Sequence, residues 1–163
     1  MSDPARTSGF TLIELLITVA ILIIVVTIAV PSFQSVIRSS RVTTETNLLI
    51  SALQVARSEA TKRGTEVSLT ARGASLAAGY CVHEGGAGVS CADANRIRQY
   101  DPLESDLSSA ATRVVFNGMG ELESGGAITI DITPPSCPSG ETDSLRRIRI
   151  GLGGQVTVSR EDC

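Results

Sequence analysis

From Phe10 to Val30 the chain is apolar at nearly every position, and Glu14 is the only charge in the run. Wound as an α-helix at about 1.5 Å per residue, this stretch is roughly 31 Å long, enough to cross the hydrocarbon of a bilayer. The pattern predicts a membrane-spanning helix over 10–30. Pro31 follows, where its ring removes the hydrogen bond to the Thr27 carbonyl and predicts a bend. From there to Arg63 the pattern becomes one-sided: Leu49, Leu53, Ala56 and Ala60 recur on one face, while Arg57, Glu59, Lys62 and Arg63 fall mostly off it and read as a solvated surface. Gly64 is the expected stop. The spacing therefore predicts one long helix whose second part, 31–63, packs its apolar stripe on a sheet.

Beyond Gly64 the helical period gives way to short β-rich segments separated by glycine. Strands are predicted near Glu66–Ala71, Leu76–Val82, Arg96–Tyr100, Arg113–Phe116, Ile128–Thr133, Arg146–Ile150 and Gln155–Ser159. Asn117-Gly118, Gly125-Gly126 and the Gly151 to Gly154 stretch supply turn signals between them. No second long helical pattern separates these segments, so an antiparallel sheet over 64–163 is expected, giving an α+β fold. Ala92–Ser109 is polar and Pro134–Ser144 is rich in Pro, Ser and Gly; both read as surface loops.

The chain's 163 residues leave room for one modest domain beyond the anchor. Its formal net charge is −3, and Lys62 is its only lysine, so bulk electrostatics make no case for nucleic acid. Enzymatic chemistry is not expected either. His83 is the only histidine and reads as an ordinary surface residue, and Glu121 and Glu123 beside a turn read as solvated acids. With one histidine and no paired-cysteine spacing, neither a metal nor another cofactor is expected.

A polar leader, Met1 to Ser8, precedes the apolar run, with the small Gly9 before it rather than after it. That order is the reverse of a secretory signal. The octet Gly9-Phe10-Thr11-Leu12-Ile13-Glu14-Leu15-Leu16 resembles the class III signal of type IV pilins and of the pseudopilins of type II secretion. The resemblance implies cleavage by a prepilin peptidase between Gly9 and Phe10, N-methylation of Phe10, and a helix held by inner-membrane lipid until assembly. It makes 1–9 a leader peptide and 10–30 a filament-core helix. Glu14 is then a candidate for subunit registration, since a carboxylate in hydrocarbon is costly unless it meets a partner such as a freed amino terminus.

Two further stretches sharpen the likeness. Leu53-Gln54-Val55-Ala56-Arg57-Ser58-Glu59-Ala60, followed by Lys62-Arg63 and the strand-like Thr65 to Thr70, resembles the helix-to-strand junction of the GspH/FimT group of minor pilins and pseudopilins. Arg113-Val114-Val115-Phe116-Asn117-Gly118-Met119-Gly120 and Arg147-Ile148-Arg149-Ile150 with Gly153-Gly154-Gln155-Val156-Thr157-Val158 resemble the same domain. The likeness implies a type IV pilin-like fold, the C-terminal domain in the periplasm, and later a place in a fimbrium. Other minor pilins and the major pilin would be its partners, and pilus initiation its task, supporting twitching motility or adhesion. A minor pseudopilin of type II secretion is the alternative. A second is a DNA-binding pilin of natural transformation, with Arg146, Arg147 and Arg149 as the candidate patch. Against it stand Gln155, where related sequences often carry Arg, and the acidic tail.

Four cysteines, Cys81, Cys91, Cys137 and Cys163, allow three full pairings. In an oxidising periplasm disulfides persist. Cys81–Cys91 would close a glycine-rich loop, and Cys137–Cys163 would pin the last residue to the Pro-rich loop.

Overall fold

Thr11 opens the helix that the apolar run predicts. Its Oγ1 accepts a hydrogen bond from the Glu14 N–H at 3.3 Å, half of the capping box that a T-x-x-E tetrad encodes. Glu14 also sets a negative charge in the first turn, where the helix dipole favours it. The structure, a computed structural model, describes residues 10–91, 94–109, 111–135, 137 and 142–163. The leader Met1–Gly9 and parts of the predicted loops Ala92–Ser109 and Pro134–Ser144 lie outside the described residues.

Helix α1 spans Leu12–Arg63 and passes through Pro31. It ends where glycine permits: Gly64 takes φ +67° and its N–H donates to the Ala60 carbonyl at 2.9 Å. Contacts divide the chain into two units, one ending at Ile37 and one comprising Arg38–Cys163. In the first, the apolar residues from Phe10 to Val30 are exposed, with only Ala29 partly covered.

The second unit is built on the remainder of α1. Val42, Leu49, Leu53, Ala56 and Ala60 recur at helical spacing and are buried, together with Ala52. Eight strands are found among the described residues: β1 (Val67–Ala71), β2 (Tyr80–Glu84), β3 (Arg96–Tyr100), β4 (Asp106–Ser108), β5 (Arg113–Phe116), β6 (Ile128–Thr133), β7 (Leu145–Ile150) and β8 (Val156–Glu161). They form two four-stranded sheets, ordered β3-β2-β1-β5 and β4-β6-β7-β8, with every pairing antiparallel. Alternation puts Val67, Leu69, Tyr80, Val82, Val114 and Phe116 of the first sheet in the core with Ile130, Ile132, Ile148 and Ile150 of the second.

Two elements differ from the sequence expectation. Leu76–Ala78, predicted to begin a strand, is a turn of 3₁₀-helix, because Gly79 at φ +94° returns its N–H to the Leu76 carbonyl and β2 can begin only after it. Asp106–Ser108, predicted as part of a polar loop, is β4, held to β6 by the backbone pairing Leu107↔Ile132. Three residues with one apolar side chain carry no readable alternation.

Candidate assembly site and the family of the chain

At the start of α1, Phe10 and the apolar side chains after it are exposed, and Glu14 lies one turn inside. Gly9, the other side of the expected cleavage site, lies outside the described residues. The first unit thus offers an apolar helix with a carboxylate at its entry, a surface that lipid or other helices can cover.

Two charged residues of α1 anchor the second unit. Glu45 falls on the core-facing stripe, three residues after Val42 and four before Leu49, and its side chain is buried. Its Oε1 accepts from the Glu104 N–H at 2.9 Å and its Oε2 from the Ser105 N–H at 3.1 Å. Charge-assisted bonds of this kind offset the cost of burying the carboxylate. The spacing of Glu45 within the stripe was the signal for its burial. Arg57 is not the solvated residue that its face suggested. Its Nε donates to the Gly120 carbonyl at 3.0 Å and its Nη2 to the Gly153 carbonyl at 2.9 Å, so one guanidinium holds two distant turns against the helix. Glu59 and Arg63 do form a surface pair at 2.9 Å, and Arg63 also reaches Glu84 at 2.7 Å. The hydrogen bond to Glu59, ahead of that to Glu84, raises the Arg63 pKa.

His83 is likewise corrected from surface residue to buried one. Register places Ser68 beside His83, and Thr70 beside Cys81 and Arg113, all on the face of the first sheet that points away from the core. The segment after β2 folds over this face. Ser68 Oγ donates to the Gly85 carbonyl at 2.6 Å, and Arg113 donates to the carbonyls of Gly86 and Val89 at 3.1 and 2.8 Å. A disulfide joins Cys81 to Cys91, with Cα atoms 6.1 Å apart. Beneath this strap the His83 ring nitrogens meet Thr70 Oγ1 at 2.9 Å and the Glu84 carbonyl at 3.1 Å. A histidine so enclosed is a packing element. Cys137 and Cys163 are joined as well, tying the final residue back to the segment before β7.

The three candidate arginines of β7 do not share one surface. Arg147 makes a two-pronged pair with Asp131 on β6, both bonds 2.8 Å, and approaches Glu161 at 3.5 Å. Bonding to Asp131 raises its pKa. Arg146 points to the opposite face, where it is buried and donates to the carbonyls of Asp143 and Leu145. Burial, and then Arg160 across the ladder, lower its pKa. Arg149 is exposed and lines an open cleft with Leu152, Gln155 and Thr157. Among the described residues no group of three or more His, Cys, Asp or Glu is arranged to hold a metal ion.

Residues 45–154 match the family described as Type II transport protein GspH, and residues 4–30 match the Prokaryotic N-terminal methylation motif. Among solved structures, the type IV minor pilin FimU of Pseudomonas aeruginosa is similar in two crystal forms. One has a TM-score of 0.61 at 22% identity, covering 72% of this chain and 91% of that one; the other has 0.54 at 25%, covering 72% and 92%. The minor pseudopilin EpsH of the Vibrio cholerae Type 2 Secretion System has a TM-score of 0.52 at 13% identity, covering 74% of this chain and 97% of that one. No match was found among curated proteins. The methylation motif implies processing by prepilin peptidase and assembly with other pilins, and with the apolar helix it implies a membrane anchor bearing a soluble C-terminal domain. The family is structural, not enzymatic. A pilin-like helix on antiparallel sheets, entered through a methylation motif and matched over 45–154, makes this chain a member of the GspH family of minor pilins and pseudopilins.

Proposed function

We propose that the chain is a minor type IV pilin, inserted in the bacterial inner membrane with its C-terminal domain in the periplasm, that primes pilus assembly and so supports twitching motility or adhesion. The observation that carries this reading is the exposed apolar surface of Phe10–Val30, which opens at an N-terminal methylation motif. Such a surface is stable in lipid and equally stable against other apolar helices, so one element serves as anchor and as filament core. In this reading the peptidase cuts between Gly9 and Phe10, Phe10 is methylated, and Glu14 neutralises a neighbouring amino terminus as subunits come into register. Pro31 bends the helix where it leaves the membrane. Similarity to FimU supports a pilus over the alternative, a minor pseudopilin of type II secretion. Deleting the gene and counting surface pili tests the choice: loss of pili, restored by the wild-type gene, is expected. Normal piliation with lost secretion of periplasmic cargo would assign the chain to the secretion system instead. Nucleic acid is not proposed as a partner, since Arg147 is engaged by Asp131 and Arg146 is buried.

A further inference from the structure

The two sulfurs under the strap of the first sheet differ in access. Cys81, on β2, is fully buried, whereas Cys91, at the far end of the strap, is partly exposed. Cys91 lines an open cleft of about 350 Å³ with Thr70, Ala71, Arg72 and Ser90. Arg72 is exposed there, and its guanidinium has no ion-pair partner among the described residues. A cation beside a cysteine favours the thiolate, the form that attacks disulfides.

The strap does not depend on the sulfur–sulfur bond for its position. Ser68 holds the Gly85 carbonyl, and Arg113 holds those of Gly86 and Val89. Cys91 Sγ lies 3.7 Å from the Thr70 carbonyl, an acceptor for its S–H in the reduced chain, and register sets Thr70 beside Cys81. Contacts that involve no sulfur bond therefore bring the two thiols together, one sealed beneath the strap and one open to a charged cleft.

We infer that Cys91 is the entry point for oxidation of this pair, and that the cleft it shares with Arg72 receives the disulfide of an external thiol–disulfide exchange protein. The Cys91 thiolate attacks one oxidant sulfur, the oxidant's S–S bond breaks, and its other sulfur leaves as a thiolate. Cys81 gives up its proton and attacks Cys91 Sγ; the mixed disulfide breaks and the first oxidant sulfur leaves. Two electrons pass from the two cysteines to the oxidant, which ends as a dithiol carrying the two protons they release. The opposite order requires the strap to lift first, because no protein sulfur reaches Cys81 beneath it. A periplasm in which such oxidants work comes from the proposed function; the order of the two sulfurs does not.

The test uses the full-length chain, fully reduced in detergent micelles and exposed to the small neutral probe hydroxyethyl disulfide. Samples are quenched in acid and mapped by peptide mass, which separates this pair from Cys137 and Cys163. In Cys81→Ser the probe should accumulate on Cys91, and in Cys91→Ser it should join Cys81 at least about ten-fold more slowly. In strong urea the two rates should become equal. Arg72→Glu should slow labelling of Cys91 about three-fold, and less at high salt. In the wild-type chain the adduct on Cys91 should appear first and give way to the Cys81–Cys91 bond, a sequence that decides the matter even where a serine variant misfolds. Equal rates at the two cysteines without urea, or a first adduct on Cys81, would overturn the inference. No filament enters this experiment, so its failure leaves the pilin reading standing, and loss of that reading leaves the order of the sulfurs untouched.

Discussion

Arg57 shows how far a residue's role can lie from its helical face. Its position off the apolar stripe was legible, but its two acceptors are 63 and 96 residues away in sequence, and helical periodicity holds no information about turns that return from such distances. Replacing it by alanine removes two charge-assisted bonds and frees both turns, so Arg57→Ala should cost about 2–4 kcal/mol in urea unfolding. Arg57→Lys should recover less than half of that loss, because an ammonium cannot fork to both carbonyls. Tyr80 makes the opposite case. Its ring stacks on Tyr100 with centroids 4.9 Å apart, but its buried hydroxyl has no hydrogen-bond partner among the described residues. Burial, with Tyr100 and Glu45 nearby, raises its pKa. Unfolded tyrosine ionises near pH 10, so above that pH the unfolded state releases a proton that the folded state keeps, and stability falls as pH rises. Tyr80→Phe should therefore change stability at pH 7 by less than about 1 kcal/mol and flatten the decline above about pH 10. Urea melts at both pH values measure the two effects together.

At the scale of elements, what could be read in the sequence was what repeats. The stripe Leu49, Leu53, Ala56 and Ala60 gave the inner face of α1, and the alternation of Ile128–Thr133 and Arg146–Ile150 gave β6 and β7 to within a residue. What could not be read was set by pairing across long distance. β4 exists because β6 offers it an edge, and the strap over His83 exists because Ser68 and Arg113 hold its carbonyls. Division of the strands into two sheets had no local signal either. Close backbone approach between elements was only half visible. Asn117-Gly118 marked a turn, but not that this turn packs against the end of α1, where a Cβ on Gly118 would lie 2.6 Å from the Gly64 carbonyl carbon. Neither backbone can yield without moving the helix end, so Gly118→Ala should cost about 1–3 kcal/mol, read as a lower midpoint in thermal unfolding. Tethers between elements are a separate source of stability. Cys137→Ser with Cys163→Ser releases β8 from the segment before β7 and should lower stability by about 2–4 kcal/mol.

The whole molecule divides the work between an anchor that needs company and a domain that has its own core. Arg38–Cys163 holds the buried stripe of α1, both sheets and both disulfides, so expressed alone it should unfold in one cooperative step and stay in solution. The helix before it has no such self-sufficiency, and there Glu14 separates two demands made of one surface. Insertion into lipid asks only for apolar length, which Glu14→Leu increases. Assembly asks for register, and a run of similar aliphatic side chains defines register poorly, since one-turn shifts leave its packing nearly unchanged. In the proposed reading a carboxylate near the start of the helix breaks that degeneracy: it is costly in hydrocarbon everywhere except beside a cation, and cleavage before Phe10 would free an amino terminus, a cation one turn away. Glu14→Leu should consequently leave membrane-bound, correctly cleaved protein at wild-type amounts while its share in sheared filaments falls about ten-fold. Immunoblots of membrane and filament fractions measure both quantities at once. Equal filament content for the two proteins would mean that the carboxylate only complements the dipole at the start of the helix, and that register is set by other contacts along the filament.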